Sequence, residues 1–268
     1  MQFADLGDIR VHYRLDGPED GPALVFADAL GTDFRIWDGV VAHLPPNLRS
    51  RLRILRYDMR GHGLTTAPIG PYFMGDLVAD AAKLMELVGM KDAVFVGLSI
   101  GGLVAQGLAA ERLDLLRAVV LSNTAAKIGT HQQWHDRIEA VRAGGIEALA
   151  DPTMERWFAR ATHRDRPALV EGIRAMLTRQ PLQGYLGCME AIAETDLVES
   201  TARLRLPALG IAGAEDGSTP ADLVRETTDS IPGAKFHLVR RAGHLACAEH
   251  PAEYAAALGG FLEAVGQV

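Results

Sequence analysis

Residues 93–102 read Ala93-Val94-Phe95-Val96-Gly97-Leu98-Ser99-Ile100-Gly101-Gly102. The first five form an apolar run too short for a helix by preference, and a small-residue helical pattern over 100–110 follows directly. Between them lies Gly-x-Ser-x-Gly. A strand turning sharply into a helix at this pattern lifts a serine hydroxyl out at the carboxyl edge of a sheet. Gly97 and Gly101 let neighbouring backbone come close without a Cβ clash. The Ile100 N–H falls at a helix N-terminus, where donors lack an internal partner, so it is placed to stabilise an oxyanion. A glycine-rich turn with an incidental serine would read the same in letters. The flanking strand and helix argue for a nucleophile.

Working outward, residues 9–15, 23–27, 51–57, 116–121, 207–212 and 235–239 read as further strands. Residues 76–88 read as an amphipathic helix, and a last helix starts at Pro251. Strands separated by helices imply an α/β fold, a mostly parallel central sheet with helices on both faces. From Lys127 to Asp196 the pattern is helical with no convincing strand, and this stretch holds Trp134, Trp157, Phe158 and Tyr185. The expected organisation is a core of residues 1–126 and 197–268 with an all-helical lid, 127–196, inserted in it. A plain set of packing helices is the alternative.

Serine needs a base to take its proton, and in a nucleophile elbow the partners follow in the order Ser, acid, His. Asp216 closes the strand 207–212 and is the expected acid, with Glu215 its rival and the cap of a following helix its bland role. His244, beside Gly243 in the loop after 235–239, is the expected base. Surface or core positions are expected for His12, His43, His131, His163, His237 and His250. His62 in Asp58–Gly63 is read as structural, with Asp58 available to pair with Arg60. The loop after 23–27 reads Asp28-Ala29-Leu30-Gly31, and Leu30 N–H is the expected second oxyanion donor. Thr32 or Asp33 could cap the turn that follows. His131 and His135, four apart without a third ligand, read as a solvated helix start, so no metal site is expected.

The 268 residues carry a net charge of −7, with 48% hydrophobic and 23% charged residues. That balance fits a globular protein and excludes a disordered or collagen-like one. An acidic chain with few aromatics has no case for a nucleic-acid partner, and no apolar stretch is long enough to span a membrane. The run Arg49, Arg51, Arg53, Arg56 and Arg60 overlaps an apolar alternation and reads as the solvent face of a strand. Cys188 and Cys247 are far apart and read as free thiols. With no visible signal peptide, a cytoplasmic protein is expected.

The loop Asp28–Gly31, Asp58–Gly63, Gly97–Gly101, Asp216 and Gly243-His244 together resemble the α/β-hydrolases along nearly the whole chain. Within them the chain resembles 3-oxoadipate enol-lactonases. The carriers are Leu30-Gly31-Thr32-Asp33 with Trp37-Asp38, the elbow through Gly102, Asn123–Gly129, Arg156-Trp157-Phe158, Gly184–Cys188 and Asp216–Pro220. It departs from them at Asp28, where a small Asn-like residue is usual, and at Thr65-Thr66, where Ser-Asp is usual. The resemblance implies a serine hydrolase that opens a small carboxylate-bearing enol-lactone in aromatic catabolism, without cofactor or metal. Its partner would be a small lactone or ester, acting on a monomer or small homo-oligomer. The substrate carboxylate would need a cation from the lid, for which Arg137, Arg160 and Arg179 are the candidates. Trp134 and Trp157 are expected either to line the pocket or to fill the lid core. A carboxylesterase or another lactonase using the same residues is the main alternative, and a slow-turnover ligand receptor is the rival from another class.

Overall fold

The computed structural model describes residues 1–268. Eight strands form one sheet: β1 (Gln2–Asp5), β2 (Arg10–Asp16), β3 (Ala23–Ala27), β4 (Arg53–Tyr57), β5 (Ala93–Leu98), β6 (Leu116–Ser122), β7 (Ala208–Gly213) and β8 (Lys235–Val239). Their order is β1-β2-β4-β3-β5-β6-β7-β8. β2 runs antiparallel to both β1 and β4, and every pairing from β4 to β8 is parallel. Strands β3, β5 and β7 are buried along their whole length, as parallel strands covered on both faces must be. β1 is absent from the sequence reading. It has four residues, three of them exposed, so no apolar pattern announces it.

The chain leaves β3 toward one edge of the sheet and returns at β5 toward the other. Strand order therefore reverses between β3 and β5, and the crevice outside their carboxyl ends is where ligands bind in open α/β sheets. Ala27 pairs with Gly97 in register, so the loop that carries Leu30 and the turn that carries Ile100 leave adjacent strand ends.

One helical group comprises Met74–Leu87, Ile100–Glu111 and Val198–Ala202, and another comprises Asp38–His43, Ala246–Glu249 and Pro251–Ala264. Residues 127–196 hold five helices and no strand. Trp134, Ile138, Met154, Trp157, Leu177 and Met189 from this segment join the same 80-residue hydrophobic cluster as the sheet. The segment is therefore packed onto the core rather than tethered to it. No helix is long and apolar enough to cross a membrane.

The arginine run splits: Arg49 and Arg51 are exposed and Arg53 is half-buried, as a solvent face would be, whereas Arg56 and Arg60 are buried. Arg56 is 2% exposed and is paired with Asp16 at 2.6 Å and with Asp38. Arg60 is buried and grips Asp80 through Nε at 2.6 Å and Nη2 at 2.8 Å, with Asp8 at 3.1 Å. Arg56 meets Asp38 at the start of the helix Asp38–His43, and Arg60, beyond the end of β4, meets Asp80 of the helix Met74–Leu87, so both face protein instead of water. Asp58 does not pair with Arg60; its Oδ2 meets His12 Nδ1 at 2.8 Å.

Candidate active site

Ser99 sits at the tip of the turn between β5 and the helix Ile100–Glu111, with φ 57° and ψ −116°. This left-handed backbone costs about 1–3 kcal/mol and persists only where surroundings enforce it. Three contacts do so. Ser99 N donates to Ser122 O at 2.9 Å, while Ser99 O accepts from Gly102 N at 2.9 Å and from Thr124 Oγ1 at 2.7 Å. A Cβ on Gly97 would lie 2.0 Å from Gly101 O, and one on Gly101 2.6 Å from Ala27 O, so the turn closes only with glycine at both positions.

Asp216 and His244 follow β7 and β8 and meet with Oδ2 2.8 Å from Nδ1. Both are buried. Asn123 Nδ2 (2.9 Å) and Thr219 Oγ1 (2.8 Å) donate to the same oxygen, and the N–H groups of Ser218 (2.7 Å) and Thr219 (3.1 Å) donate to Oδ1. Burial alone would raise the Asp216 carboxyl. The charge and hydrogen bond of His244, with Asn123 and Ser218, outweigh it and hold the group below the usual carboxylate value. Asp216 does not cap the next helix, which spans Ala221–Asp229 and has Pro220 at its N-cap. Glu215 is turned away, exposed, and accepts from Arg160 N at 3.1 Å. The structure thus joins the acid to the imidazole, whereas no hydrogen bond joins His244 to Ser99 Oγ. Such links commonly tighten only with substrate in place.

The imidazole is further fixed by Trp157, expected in the pocket or the lid core, and by Glu249, which the sequence does not single out. His244 N donates to Trp157 O at 2.7 Å, and the Trp157 ring stacks on the imidazole at 5.8 Å. Glu249 is buried, accepts from Gly243 N at 2.6 Å and Ala159 N at 3.0 Å, and also pairs with Thr162 Oγ1. It ties the His244 loop to the helical segment. Gly243 is required here because a Cβ would fall 2.3 Å from Trp157 O.

Leu30 N–H and Ile100 N–H, the expected oxyanion donors, have no acceptor within the protein. Two unpaired, nearly buried N–H groups just beyond the ends of adjacent strands suit one developing negative charge. Asp33 caps the short helix Phe34–Trp37 by accepting from Arg35 N, while Thr32 turns back onto Ala29. Asp28, just before this loop, is fully buried with both carboxyl oxygens unpartnered. Burial first, and then Asp58, raise its pKa well above the ordinary value, which favours the neutral acid over an anion beside the oxyanion donors. Thr65 and Thr66 knit their loop to β2, accepting from His12 N and Arg10 N, each at 2.9 Å.

His62 supports the same loop. Its Nε2 accepts from Gly31 N at 2.8 Å, which places the ring proton on Nδ1, facing Arg60 O at 3.2 Å. Burial pushes its pKa down to about 4 from 6.5. Between these values the unfolded chain binds a proton that the folded chain does not. Stability is therefore complete above about pH 6.5, falls as pH drops toward 4, and loses about 3 kcal/mol in all from this group. Urea midpoints measured at pH 7 and 4.5 should fall more steeply for the wild type than for His62→Gln; equal slopes would remove His62 from this role.

Residues expected in the lid separate on inspection. Trp134 is buried and donates from Nε1 to Ile128 O at 2.6 Å, with the Arg137 guanidinium 4.9 Å over its ring. Arg160 is exposed. Arg179 is exposed and lines a cavity of about 420 Å³ with His12, Asp33, Arg35, Met176 and Gln180, a cavity lined by neither Ser99 nor His244. Arg137 is half-buried, and so is Arg156, which the sequence reading quoted but did not weigh as a ligand. Neither has a carboxylate partner. His131 pairs with Glu194 at 2.9 Å on the surface.

Residues 22–251 match the family model of the α/β hydrolase fold. The chain belongs to the α/β hydrolase fold family. This α/β hydrolase is 33% identical to 3-oxoadipate enol-lactonase 2 of Acinetobacter baylyi, over 91% of this chain and 90% of the relative. It is 32% identical to 3-oxoadipate enol-lactonase 1 of the same organism, over 94% and 92%. The enol-lactonase from Burkholderia xenovorans LB400 superimposes with a TM-score of 0.92 at 34% identity, covering 98% of this chain and all of that one. These similarities make the protein a hydrolase of enol-lactonase-like type.

Proposed function

We propose that this hydrolase opens small carboxylate-bearing enol-lactones, with 3-oxoadipate enol-lactone as the reference substrate, in cytoplasmic aromatic catabolism. Ser99 Oγ attacks the lactone carbonyl while His244 Nε2 takes its proton. Asp216 holds the imidazole in that orientation and stabilises its cation. The tetrahedral oxyanion is received by Leu30 and Ile100 N–H. The ring C–O bond then breaks, His244 returns the proton to the enol oxygen, and the enol becomes a ketone. Water, deprotonated by His244, attacks the acyl-Ser99 ester; the acid leaves and Ser99 regains its proton. Residues 127–196 act as the lid over this reaction.

The observation that carries the acidic substrate is the pair Arg137 and Arg156. They stand on the consecutive lid helices His131–Gly144 and Glu147–Trp157, half-buried and without carboxylate partners. The Arg156 Nε is buried and unpartnered. Burial, and then the like charge of Arg137, lower the Arg156 pKa, and both guanidiniums act on Tyr185. The Tyr185 ring and Trp157 both lie against Gly31 of the oxyanion loop. Two like charges that act on each other and on Tyr185 are relieved by an anion. Arg160 and Arg179 have no comparable surroundings.

Arg137→Met and Arg156→Met should each raise KM for 3-oxoadipate enol-lactone about 10- to 100-fold, the value of a charged hydrogen bond. Turnover of neutral p-nitrophenyl acetate should change less than about threefold. Equal losses on both substrates would favour a general carboxylesterase.

A further inference from the structure

The loop that carries Leu30 is held from three directions. Ala29 O accepts from Thr32 N at 3.0 Å and Thr32 Oγ1 at 2.8 Å. A trans, planar peptide with its carbonyl held this way turns the Leu30 N–H to the opposite side. In the next peptide, Gly31 N–H is held by His62 Nε2 at 2.8 Å. The Gly31 carbonyl is then met by Gln180 Nε2 at 3.4 Å. Gln180 is buried and lies just after the helix Pro167–Thr178 of the segment 127–196. Its Oε1 accepts from Gly63 N at 2.8 Å, beside His62, and its Nε2 also donates to Met176 O at 3.1 Å. One lid amide thus spans the loops that follow β3 and β4, and both Gly31 and Gly63 have positive φ. An amide is needed here because the site asks for an acceptor and a donor at once.

We propose that Gln180 is a positioning residue for the oxyanion hole. It locks the Gly31 carbonyl from the lid side, so that the Leu30 N–H is correctly aimed only when the lid is seated. This rests on the serine-hydrolase reading above.

Gln180→Glu tests it, since Glu keeps the acceptor for Gly63 N–H, loses the donor to Gly31 O, and sets a negative group against that carbonyl. Removing an oxyanion donor outright costs about 10²–10³ in kcat, and a misaimed one should cost about tenfold. The expected result on p-nitrophenyl acetate is a kcat about tenfold lower with KM within about twofold. The Ki of phenylboronic acid, which mimics the tetrahedral state, should rise in parallel, while the Ki of adipate, which does not, stays unchanged. Gln180→Met should behave alike if it folds, and thermal melts of both variants report their folding. Unchanged kcat in Gln180→Glu overturns the proposal. So does a fall in which adipate binding and the melting temperature drop together, which marks a merely structural role. Ser99→Ala, measured alongside, separates the two readings: if it is inactive and Gln180→Glu is normal, only the Gln180 proposal fails. If Ser99→Ala is active, both fail.

Discussion

Ser99→Ala is expected to lower kcat about 10⁴- to 10⁶-fold on any ester or lactone the protein turns over. In serine hydrolases the nucleophile, base and acid act as a unit, so losing the nucleophile costs nearly the whole covalent advantage and leaves only what the oxyanion hole and binding supply. The fold should be indifferent to the change. The hydrogen bonds that hold the elbow run through the Ser99 backbone, to Ser122 O and from Gly102 N and Thr124 Oγ1. Alanine keeps all of these and meets the same left-handed φ. The check is a steady-state rate together with a thermal melt. A melting temperature within a few degrees of wild type with activity gone assigns Ser99 to chemistry. Residual activity above a few per cent assigns the nucleophile elsewhere.

Asp216→Asn is expected to cost about 10⁴ in kcat with little change in KM. The carboxylate receives five hydrogen bonds, from His244, Asn123, Thr219 Oγ1, and the Ser218 and Thr219 N–H groups. All five partners are donors, so an amide nitrogen opposes two of them on the Oδ1 side and three on the Oδ2 side. With the amide oxygen kept on the two backbone N–H groups, its NH₂ faces His244 Nδ1. That reverses the imidazole tautomer and puts a proton where Nε2 must accept one. The variant should also lose stability, because Asn123 and Thr219 lose their acceptor. Kinetics on p-nitrophenyl acetate check this directly; a loss smaller than tenfold would mean that Asp216 does not orient the base.

What the sequence made legible was local. The β5 elbow announces itself within ten residues, and the order strand, Ser, acid, His points to Asp216 and His244 because each lies in the loop that follows its own strand. Leu30 follows from the same motif logic. What stayed hidden depends on distant partners. Gln180 reaches Gly31 across 149 positions, and Glu249 reaches Ala159 across 90. Nothing in their own neighbourhoods marks either one. Arg156 sits beside the quoted Trp157, and its lack of a carboxylate partner exists only in three dimensions. The burial of Arg56 and Arg60 within the arginine run is hidden in the same way. Alternation tells which face of β4 a residue is on, but not that Asp16 and Asp38 meet Arg56 there, nor that Asp80 meets Arg60 in the loop beyond. Asp28 stands where a small Asn-like residue is usual, and the letter alone does not say that the carboxyl is fully buried, which raises its pKa well above the ordinary value.

The central claim is that Ser99 opens a carboxylate-bearing enol-lactone. Steady-state hydrolysis of 3-oxoadipate enol-lactone by the wild-type protein, with Ser99→Ala as control, tests it most directly. The account predicts saturable turnover that vanishes in the variant. A wild-type protein that cleaves p-nitrophenyl acetate but leaves this lactone closed would contradict it.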